Sequence, residues 1–263
     1  MRVEIFYTDG GTSSKRVVFT SRWSADVFIK PGIGSAETTD RQRRITVCNR
    51  RLSESWKKRP IYTNYTNNGH SVFVQTKNKK SRLISGGILG DRIYSFQQIH
   101  WHWGSNNNGS EHTVNGKRYS MEQHFVFYNT ESENPVEDKH GIVVIALFYT
   151  RSKISNSQLE PVLNSGALGE PGETIKKEGG LSLYSFLPHI GGKGKFWSYK
   201  GSLTTPPCSE NVLWIIFPTP RPVSSIQLKR FTTLKNFQGD FVKRNVRPTQ
   251  PLNRRKVELL KFG

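Results

Sequence analysis

Alternation of apolar and polar positions, rather than helical periodicity, dominates the chain from about residue 60 onward. Short runs of large apolar and β-branched residues predict strands. These runs are Ser71–Gln75, Ile93–Trp103, His124–Tyr128, Ile142–Thr150 and Val212–Phe217. Turn signals rich in asparagine and glycine separate them, at Asn67–Gly69, Ser85–Gly87, Asn106–Gly109 and Asn115–Gly116. The pattern predicts a mainly β domain without internal repeats.

Helical patterning is sparse, and it predicts two short helices. Ser224 followed by Gln227 has the form of a capping box, in which two side chains satisfy the first free N–H groups of a helix. Apolar residues at Leu228, Phe231 and Leu234 then follow with helical spacing. The second predicted helix runs over about residues 157–163 and is shortened by Pro161.

The first 50 residues differ from the rest, because they contain few large apolar residues. Residues 31–44 are rich in glycine, threonine and arginine and are not expected to pack. We predict a poorly ordered segment over residues 1–50 and one domain over residues 51–263. The start shows no apolar core of a signal peptide. The longest apolar run, Ile142 to Tyr149, is far shorter than the roughly 20 residues of a membrane span.

The cysteine content leaves the cellular compartment open. Cys48 and Cys208 are either two reduced thiols or one long-range disulfide, which would require an oxidising compartment. Glycosylation sequons begin at Asn64 and Asn108 and favour an extracellular location. The lack of a visible signal peptide favours the cytoplasm instead.

A strong excess of basic residues raises the question of an anionic partner. The 263 residues include 39 lysines and arginines against 20 acids, which gives a formal net charge of +19. Such a charge is compatible with weak contacts to an acidic surface or a sulfated glycan. The basic residues are scattered and lack regularly spaced aromatics, so no specific nucleic-acid site is predicted. A solvated basic surface is the simpler interpretation.

Three histidines carry the candidate chemistry. Because side chains alternate along a strand, His100 and His102 share one face while Trp101 and Trp103 share the other. His124 lies in the next predicted strand, where a hairpin-like return would bring it beside them. Three neutral imidazoles with one open position suit a catalytic zinc. The alternative is three unrelated histidines bonded to backbone groups.

A cupin-type iron or manganese site also begins with His-x-His. That site expects a glutamate a few residues later, where this chain has Gly104, Ser105 and Asn106.

Several motifs in order resemble the α-class carbonic anhydrases. They are His100–Ser105 (HWHWGS), Gly109–Val114 (GSEHTV), Glu122–His124 (EQH), Gly201–Cys208 (GSLTTPPC), Val212–Trp214 (VLW), Asn67–His70 (NNGH) and Asn245–Leu252 (NVRPTQPL). The resemblance runs from about residue 60 to the end, and it is closest to secreted and membrane-associated members. It implies a large, twisted, mostly antiparallel central sheet with short peripheral helices and zinc at the bottom of a cleft.

The resemblance also implies a reaction, the reversible hydration of CO2 to bicarbonate and a proton by zinc-bound hydroxide. His100, His102 and His124 match the zinc ligands of this zinc lyase family. Thr204 matches the threonine that accepts the hydroxide proton, and Glu111 matches the glutamate that accepts from that threonine. Sulfonamide inhibition is expected from the same resemblance.

Further residues match supporting positions of the family. Gln98, Glu122 and the backbone carbonyl of Asn245 match the acceptors of the outer ring protons of the histidines. His70 matches the proton shuttle and Thr205 the residue that positions bicarbonate. The apolar wall for CO2 matches Val126, Val144, Leu203 and Trp214. His112 matches a histidine with a structural hydrogen-bonding role.

The chain departs from the family in its N-terminal part, where the tryptophan-rich start and a Gln-Ser-Pro-Ile motif are not found. The segment between Cys48 and Asn67 is also shorter. Cys208 stands where secreted members carry a disulfide cysteine, with Cys48 as its only possible partner. Phe73 and Phe127 replace residues that are often polar. The alternative function is a catalytically impaired carbonic-anhydrase-like binding or matrix protein that uses its basic surface.

Overall fold

The computed structural model describes residues 2–8, 14–20, 62–76, 83–179, 181, 186–187 and 194–261. The strands are β1 (Arg2–Thr8), β2 (Ser14–Thr20), β3 (Tyr62–Asn67), β4 (Val72–Thr76), β5 (Leu83–Ile84), β6 (Tyr94–Trp103), β7 (Met121–Asn129), β8 (Ile142–Ser152), β9 (Thr174–Glu178), β10 (Lys195–Gly201), β11 (Val212–Ser224) and β12 (Glu258–Lys261). The α-helices are α1 (Glu160–Leu163) and α2 (Ser225–Phe231). Single 3₁₀ turns cover Gly87–Leu89 and Ser157–Leu159.

Ten of these strands form one large sheet in the order β12-β10-β11-β8-β7-β6-β4-β3-β9, with β5 pairing beside β6. All its pairings are antiparallel except that of β8 with β11. β1 and β2 pair separately as an antiparallel two-stranded sheet. The expected mainly β architecture with short helices is therefore confirmed.

The central strands are covered on both faces. Phe125, Val143 and Ile215 point into the main core, whereas the next residues along β7 and β8, Val126 and Val144, belong to a second apolar cluster on the opposite face. Both clusters are shielded from solvent, which explains why β8 reads as a continuous apolar run rather than an alternating one.

Both predicted helices are present. The Ser224 hydroxyl accepts a hydrogen bond from the N–H of Gln227 (3.2 Å), and the Gln227 side chain accepts one from the N–H of Ser224 (3.2 Å). This reciprocal pair confirms the capping box at the start of α2. The other predicted helix consists of the 3₁₀ turn at residues 157–159 followed by α1, which has Pro161 in its first turn.

The five predicted strands are present as β4, β6, β7, β8 and β11. Phe127, which replaces an often polar residue of the family, is 0% exposed in the main core beside Phe96, because the alternation of β7 turns it away from His124 and Val126.

Several expectations stay predictions. The poorly ordered state of residues 1–50 and the domain boundary at residue 51 are untested, and much of that segment, Cys48 included, lies outside the described residues. Cys208 is a half-buried free thiol in the described part of the chain, so the disulfide is not observed. No helix among the described residues is long and apolar enough to cross a bilayer.

Candidate metal centre

Strands β6 and β7 bring the three candidate histidines together. His100 and His124 face each other directly across the antiparallel pair, and His102 faces Glu122. Trp101 and Trp103 point into the main core with no exposed surface, as the alternation along β6 predicts. The spacing of the histidines therefore places all three imidazoles on one face of the sheet.

One nitrogen from each ring converges on a common point. The Nε2 atoms of His100 and His102 are 3.0 Å apart, the Nδ1 of His124 lies 3.1 Å from Nε2 of His102, and it lies 3.2 Å from Nε2 of His100. Three nitrogens bound tetrahedrally to zinc at about 2.0–2.1 Å would be separated by about 3.3 Å. The observed spacing is therefore close to that of a three-histidine zinc site.

The other nitrogen of each ring faces a hydrogen-bond acceptor. Nδ1 of His100 is 2.9 Å from Oε1 of Gln98, and Nδ1 of His102 is 2.9 Å from the backbone carbonyl of Asn245. Nε2 of His124 is 2.7 Å from Oε1 of Glu122. Because these partners accept, the outer nitrogens carry the protons and the inner nitrogens present lone pairs. Three convergent lone pairs fit a cation such as zinc, and three protein ligands leave its fourth tetrahedral position to a non-protein ligand.

Burial and the nearby carboxylates shift the pKa values of the three histidines in different directions. Burial, with the neighbouring rings, holds the pKa of His100 well below its usual value, and burial lowers the pKa of His124 to about 4. Burial alone would also lower the pKa of His102, but the carboxylate of Glu111, 3.2 Å away, raises it overall. The rings of His100 and His124 are thus neutral at neutral pH, whereas the Glu111 carboxylate favours positive charge around His102.

The carboxylate of Glu122 accepts several hydrogen bonds beside the three histidines. This carboxylate is fully buried and accepts from the backbone N–H of His112 (2.9 Å), from Nδ1 of His112 (2.6 Å) and from Nε2 of His124. Burial alone would raise its pKa, but His112 and these hydrogen bonds hold the pKa of Glu122 well below its usual range. His112 in turn lies 2.7 Å from the hydroxyl of Tyr199 on β10. The side chains of Tyr199, His112 and Glu122 thus form a hydrogen-bonded chain that fixes the ring of His124.

Glu111, whose carboxylate lies 3.2 Å from Nδ1 of His102, and Thr204 are not hydrogen-bonded to each other. Oε1 of Glu111 accepts from the backbone N–H of Arg247 at 2.7 Å, and the structure describes no hydrogen bond between Glu111 and the Thr204 hydroxyl. Thr204 is half-buried and Thr205 is exposed, in the loop that follows β10. The predicted threonine–glutamate contact therefore stays a prediction.

Apolar side chains flank the nitrogens. Val126, Val144 and Trp214 are buried and form the second cluster, against which the partly buried Leu203 packs. The Trp214 ring lies edge-on to His124 with 4.8 Å between centroids. On another side, the Phe73 ring is 5.3 Å from that of His100. The four residues expected to form the apolar wall are thus contiguous.

His70 lies at the surface, in the turn between β3 and β4. Partial burial lowers the pKa of its imidazole below the ordinary value. The side-chain Nδ2 of Asn245 donates to the carbonyl of His70 (2.9 Å), while the backbone carbonyl of Asn245 faces His102. One residue therefore links the shuttle candidate to a metal-ligand candidate.

Tyr199, Arg247 and Asn67 support the site but were not singled out from the sequence. The Tyr199 hydroxyl contacts His112, and the N–H of Arg247 donates to Glu111. Asn67 accepts from the N–H of Gly69 in the turn that carries His70. Asn67 and Arg247 lie within two of the family motifs, but no role was predicted for either, whereas nothing in the sequence marks the Tyr199 hydroxyl.

Comparison with known proteins agrees with this geometry. Residues 38–261 match the eukaryotic-type carbonic anhydrase family. The chain is 38% identical over 201 residues to "Putative carbonic anhydrase 3" of Caenorhabditis elegans, which covers 75% of this chain and 77% of the relative. It is 36% identical over 201 residues to mitochondrial carbonic anhydrase 5B of Rattus norvegicus, which covers 73% of this chain and 62% of the relative.

A third relative is named a carbonic anhydrase-related protein, also of Rattus norvegicus. It is 34% identical over 213 residues, covering 73% of this chain and 70% of the relative. The family match spans most of the chain and coincides with the three-histidine centre. The chain belongs to the eukaryotic-type carbonic anhydrase family.

Proposed function

We propose that this chain catalyses the zinc-dependent, reversible hydration of CO2 to bicarbonate and a proton. The single observation that carries the proposal is the convergence of three imidazole lone pairs, each fixed by an acceptor on its outer nitrogen. Family membership alone does not assign the activity, since the relatives include both carbonic anhydrases and a carbonic anhydrase-related protein. The complete ligand set favours the enzyme.

His100, His102 and His124 would hold the zinc. Zinc bound by three histidines lowers the pKa of a water in its open position to about 7 and so supplies hydroxide at neutral pH. Gln98, Glu122 and Asn245 keep the three rings in the metal-binding tautomer. Only small shifts of these side chains would be needed for binding, because the inner nitrogens are 3.0–3.2 Å apart, close to the separation of about 3.3 Å expected around zinc.

The second apolar cluster would receive CO2. Val126, Val144, Leu203 and Trp214 offer an apolar surface beside the nitrogens, which suits a small substrate without a net charge. Apolar walls would also exclude loosely bound water from that side. Thr205, exposed in that loop, would then contact bicarbonate.

Thr204 and Glu111 would select what binds opposite the histidines. In the described part of the chain only Oε1 of Glu111 has partners, Arg247 and His102, so Oε2 is available to accept from Thr204. A Thr204 hydroxyl that donates to Glu111 has only its lone pairs left. It would therefore favour a hydrogen-bond donor at the metal, such as hydroxide or the N–H of a sulfonamide anion.

His70 would carry the released proton to buffer. Its imidazole is at the surface, where it can exchange a proton with buffer, and partial burial lowers its pKa below the ordinary histidine value.

The test is zinc content and stopped-flow CO2 hydration measured on the same purified protein. We expect one zinc per chain and activity that acetazolamide, a sulfonamide, inhibits. His124→Asn should release most of the zinc and abolish activity, whereas His140→Asn, a matched change on the loop before β8, should alter neither. Zinc without activity would instead support a catalytically impaired binding protein. Full activity in His124→Asn would overturn the site.

A further inference from the structure

The turn that carries His70 is covered by an aromatic ring from a distant loop. Gly69 has a φ of +81°, and a Cβ built on it would lie 2.5 Å from Cδ2 and 2.7 Å from Cε2 of Phe237. The Phe237 ring therefore rests directly on the backbone of Gly69. The same ring approaches Gly172, whose Cβ position is 3.6 Å from its Cε1. Phe237 is 64% exposed, so its ring packs against the turn at the surface rather than in the core.

Asn67 fixes the other side of this turn. Its buried Nδ2 donates to the carbonyls of Gly169 (2.7 Å) and Lys235 (2.9 Å), and its Oδ1 accepts from the N–H of Gly69 (2.8 Å). Its backbone carbonyl accepts from the N–H of Gly172 at 2.8 Å. Because Lys235 is two residues before Phe237, the loop that supplies the ring is tied to the turn by a hydrogen bond as well.

The backbone of His70 is thus held while its imidazole is free to face solvent. Oδ1 of Asn68 accepts from the N–H groups of His70 (3.1 Å) and Ser71 (2.8 Å), and Asn245 donates to the His70 carbonyl. Every hydrogen bond in this set fixes the backbone, and none engages the ring of His70. On the side of Gly69 where a Cβ would lie, the nearest described atoms belong to the Phe237 ring.

We propose that Phe237 is a positioning residue for proton transfer: by packing on Gly69, it holds the turn at the place from which the His70 imidazole can relay a proton. The inference rests on the proposed function, in which His70 is the shuttle. Proton transfer depends steeply on geometry, and a displacement of about 1 Å can reduce a rate by about 10²-fold. A glycine turn without its cover samples more backbone conformations, because glycine has no Cβ to restrict them.

The variant Phe237→Ala tests this role, with Phe241→Ala as the matched control. Phe241 lies in the same loop and is 55% exposed, and its described loop contacts are backbone ones, to Lys235 and Lys243. At low buffer concentration we expect Phe237→Ala to lower kcat about tenfold and to leave kcat/KM and zinc content unchanged. Added imidazole should restore kcat, since it bypasses the shuttle. Phe241→Ala should behave as wild type.

A second measurement does not depend on activity. Amide hydrogen exchange of Gly69, His70 and Ser71 should be faster in Phe237→Ala than in wild type or Phe241→Ala, and Phe237→Leu should fall between them. Unchanged exchange and unchanged kcat in Phe237→Ala would overturn the proposal, as would an equal loss of kcat and kcat/KM. A wild-type protein that binds zinc but does not hydrate CO2 would refute the proposed function itself, and with it the role in proton transfer, whatever the exchange rates show.

Discussion

Glu122→Gln removes a charge from the centre of the hydrogen-bond chain while keeping the size of the side chain. The native carboxylate accepts three hydrogen bonds, two from His112 and one from His124. A glutamine amide has one oxygen and one NH2 group, so it cannot accept at both positions. One native donor must then face another donor at a side chain that has no exposed surface.

The two orientations of the new amide have different consequences. If its oxygen faces Nδ1 of His112 and Nε2 of His124, the NH2 group faces the backbone N–H of His112, and a buried donor is left unpaired. If the amide is flipped, Nε2 of His124 must accept, and its proton moves to Nδ1, which then no longer presents a lone pair to the metal. We expect the first orientation, because it keeps two of the three hydrogen bonds.

The magnitudes follow from these losses. Changing an acceptor behind a metal-binding histidine typically reduces metal affinity about 10–100-fold, which corresponds to about 1.4–2.7 kcal/mol. The unpaired donor should cost about 1–3 kcal/mol of folding stability. For a domain of this size, each kcal/mol lowers Tm by about 2–4 °C.

Chelator competition for zinc and thermal unfolding of the metal-free protein measure the two effects separately. Glu131→Gln is the control, since Glu131 is exposed beyond the end of β7. It should change neither zinc affinity nor Tm. If Glu122→Gln bound zinc as tightly as wild type and unfolded at the same temperature, Glu122 could not be what fixes His124.

Three further predictions concern the shuttle, the apolar wall and a helix end. Partial burial lowers the pKa of His70, and only the neutral ring accepts a proton. In stopped-flow profiles at low buffer, kcat should therefore rise with pH through an apparent pKa below 6.5, and His70→Ala should remove this step. Val144→Phe should fill the CO2 surface and reduce kcat/KM about tenfold with zinc content unchanged. Ser224→Ala should lower the free energy of unfolding in urea by about 1 kcal/mol, and Ser225→Ala, on an exposed neighbour, should not.

The sequence predicts those strands whose own residues show an alternating side-chain pattern. The alternation of His100, Trp101, His102 and Trp103 is enough to place two ligands on one face, and the structure agrees. β9 was missed because Ile175 is its only apolar residue and its exposed polar side chains give no strand pattern. In β3 the buried positions include Thr63 and Asn67, so burial there does not follow hydrophobicity.

The supporting contacts of the site are harder to predict, because tertiary structure alone brings their partners together. His112 and Tyr199 are 87 residues apart, and Glu111 and Arg247 are 136 residues apart. Neither pair has a local pattern, whereas Gln98 lies two residues from His100 on the same strand face. The position of the Phe237 ring on Gly69 is likewise a property of the folded loops.

The hydrogen bond between His102 and the carbonyl of Asn245 has a consequence for synthesis of the chain. The two residues are 143 positions apart, so a nascent chain that has already made all three histidines still lacks the acceptor that fixes the middle ring. The backbone N–H of Arg247, from which Glu111 accepts a hydrogen bond, is synthesised later still. A ribosome stalled before these codons would therefore present the three histidines without their orienting groups. Tight zinc binding should begin only when the C-terminal segment has been translated and has closed over β6.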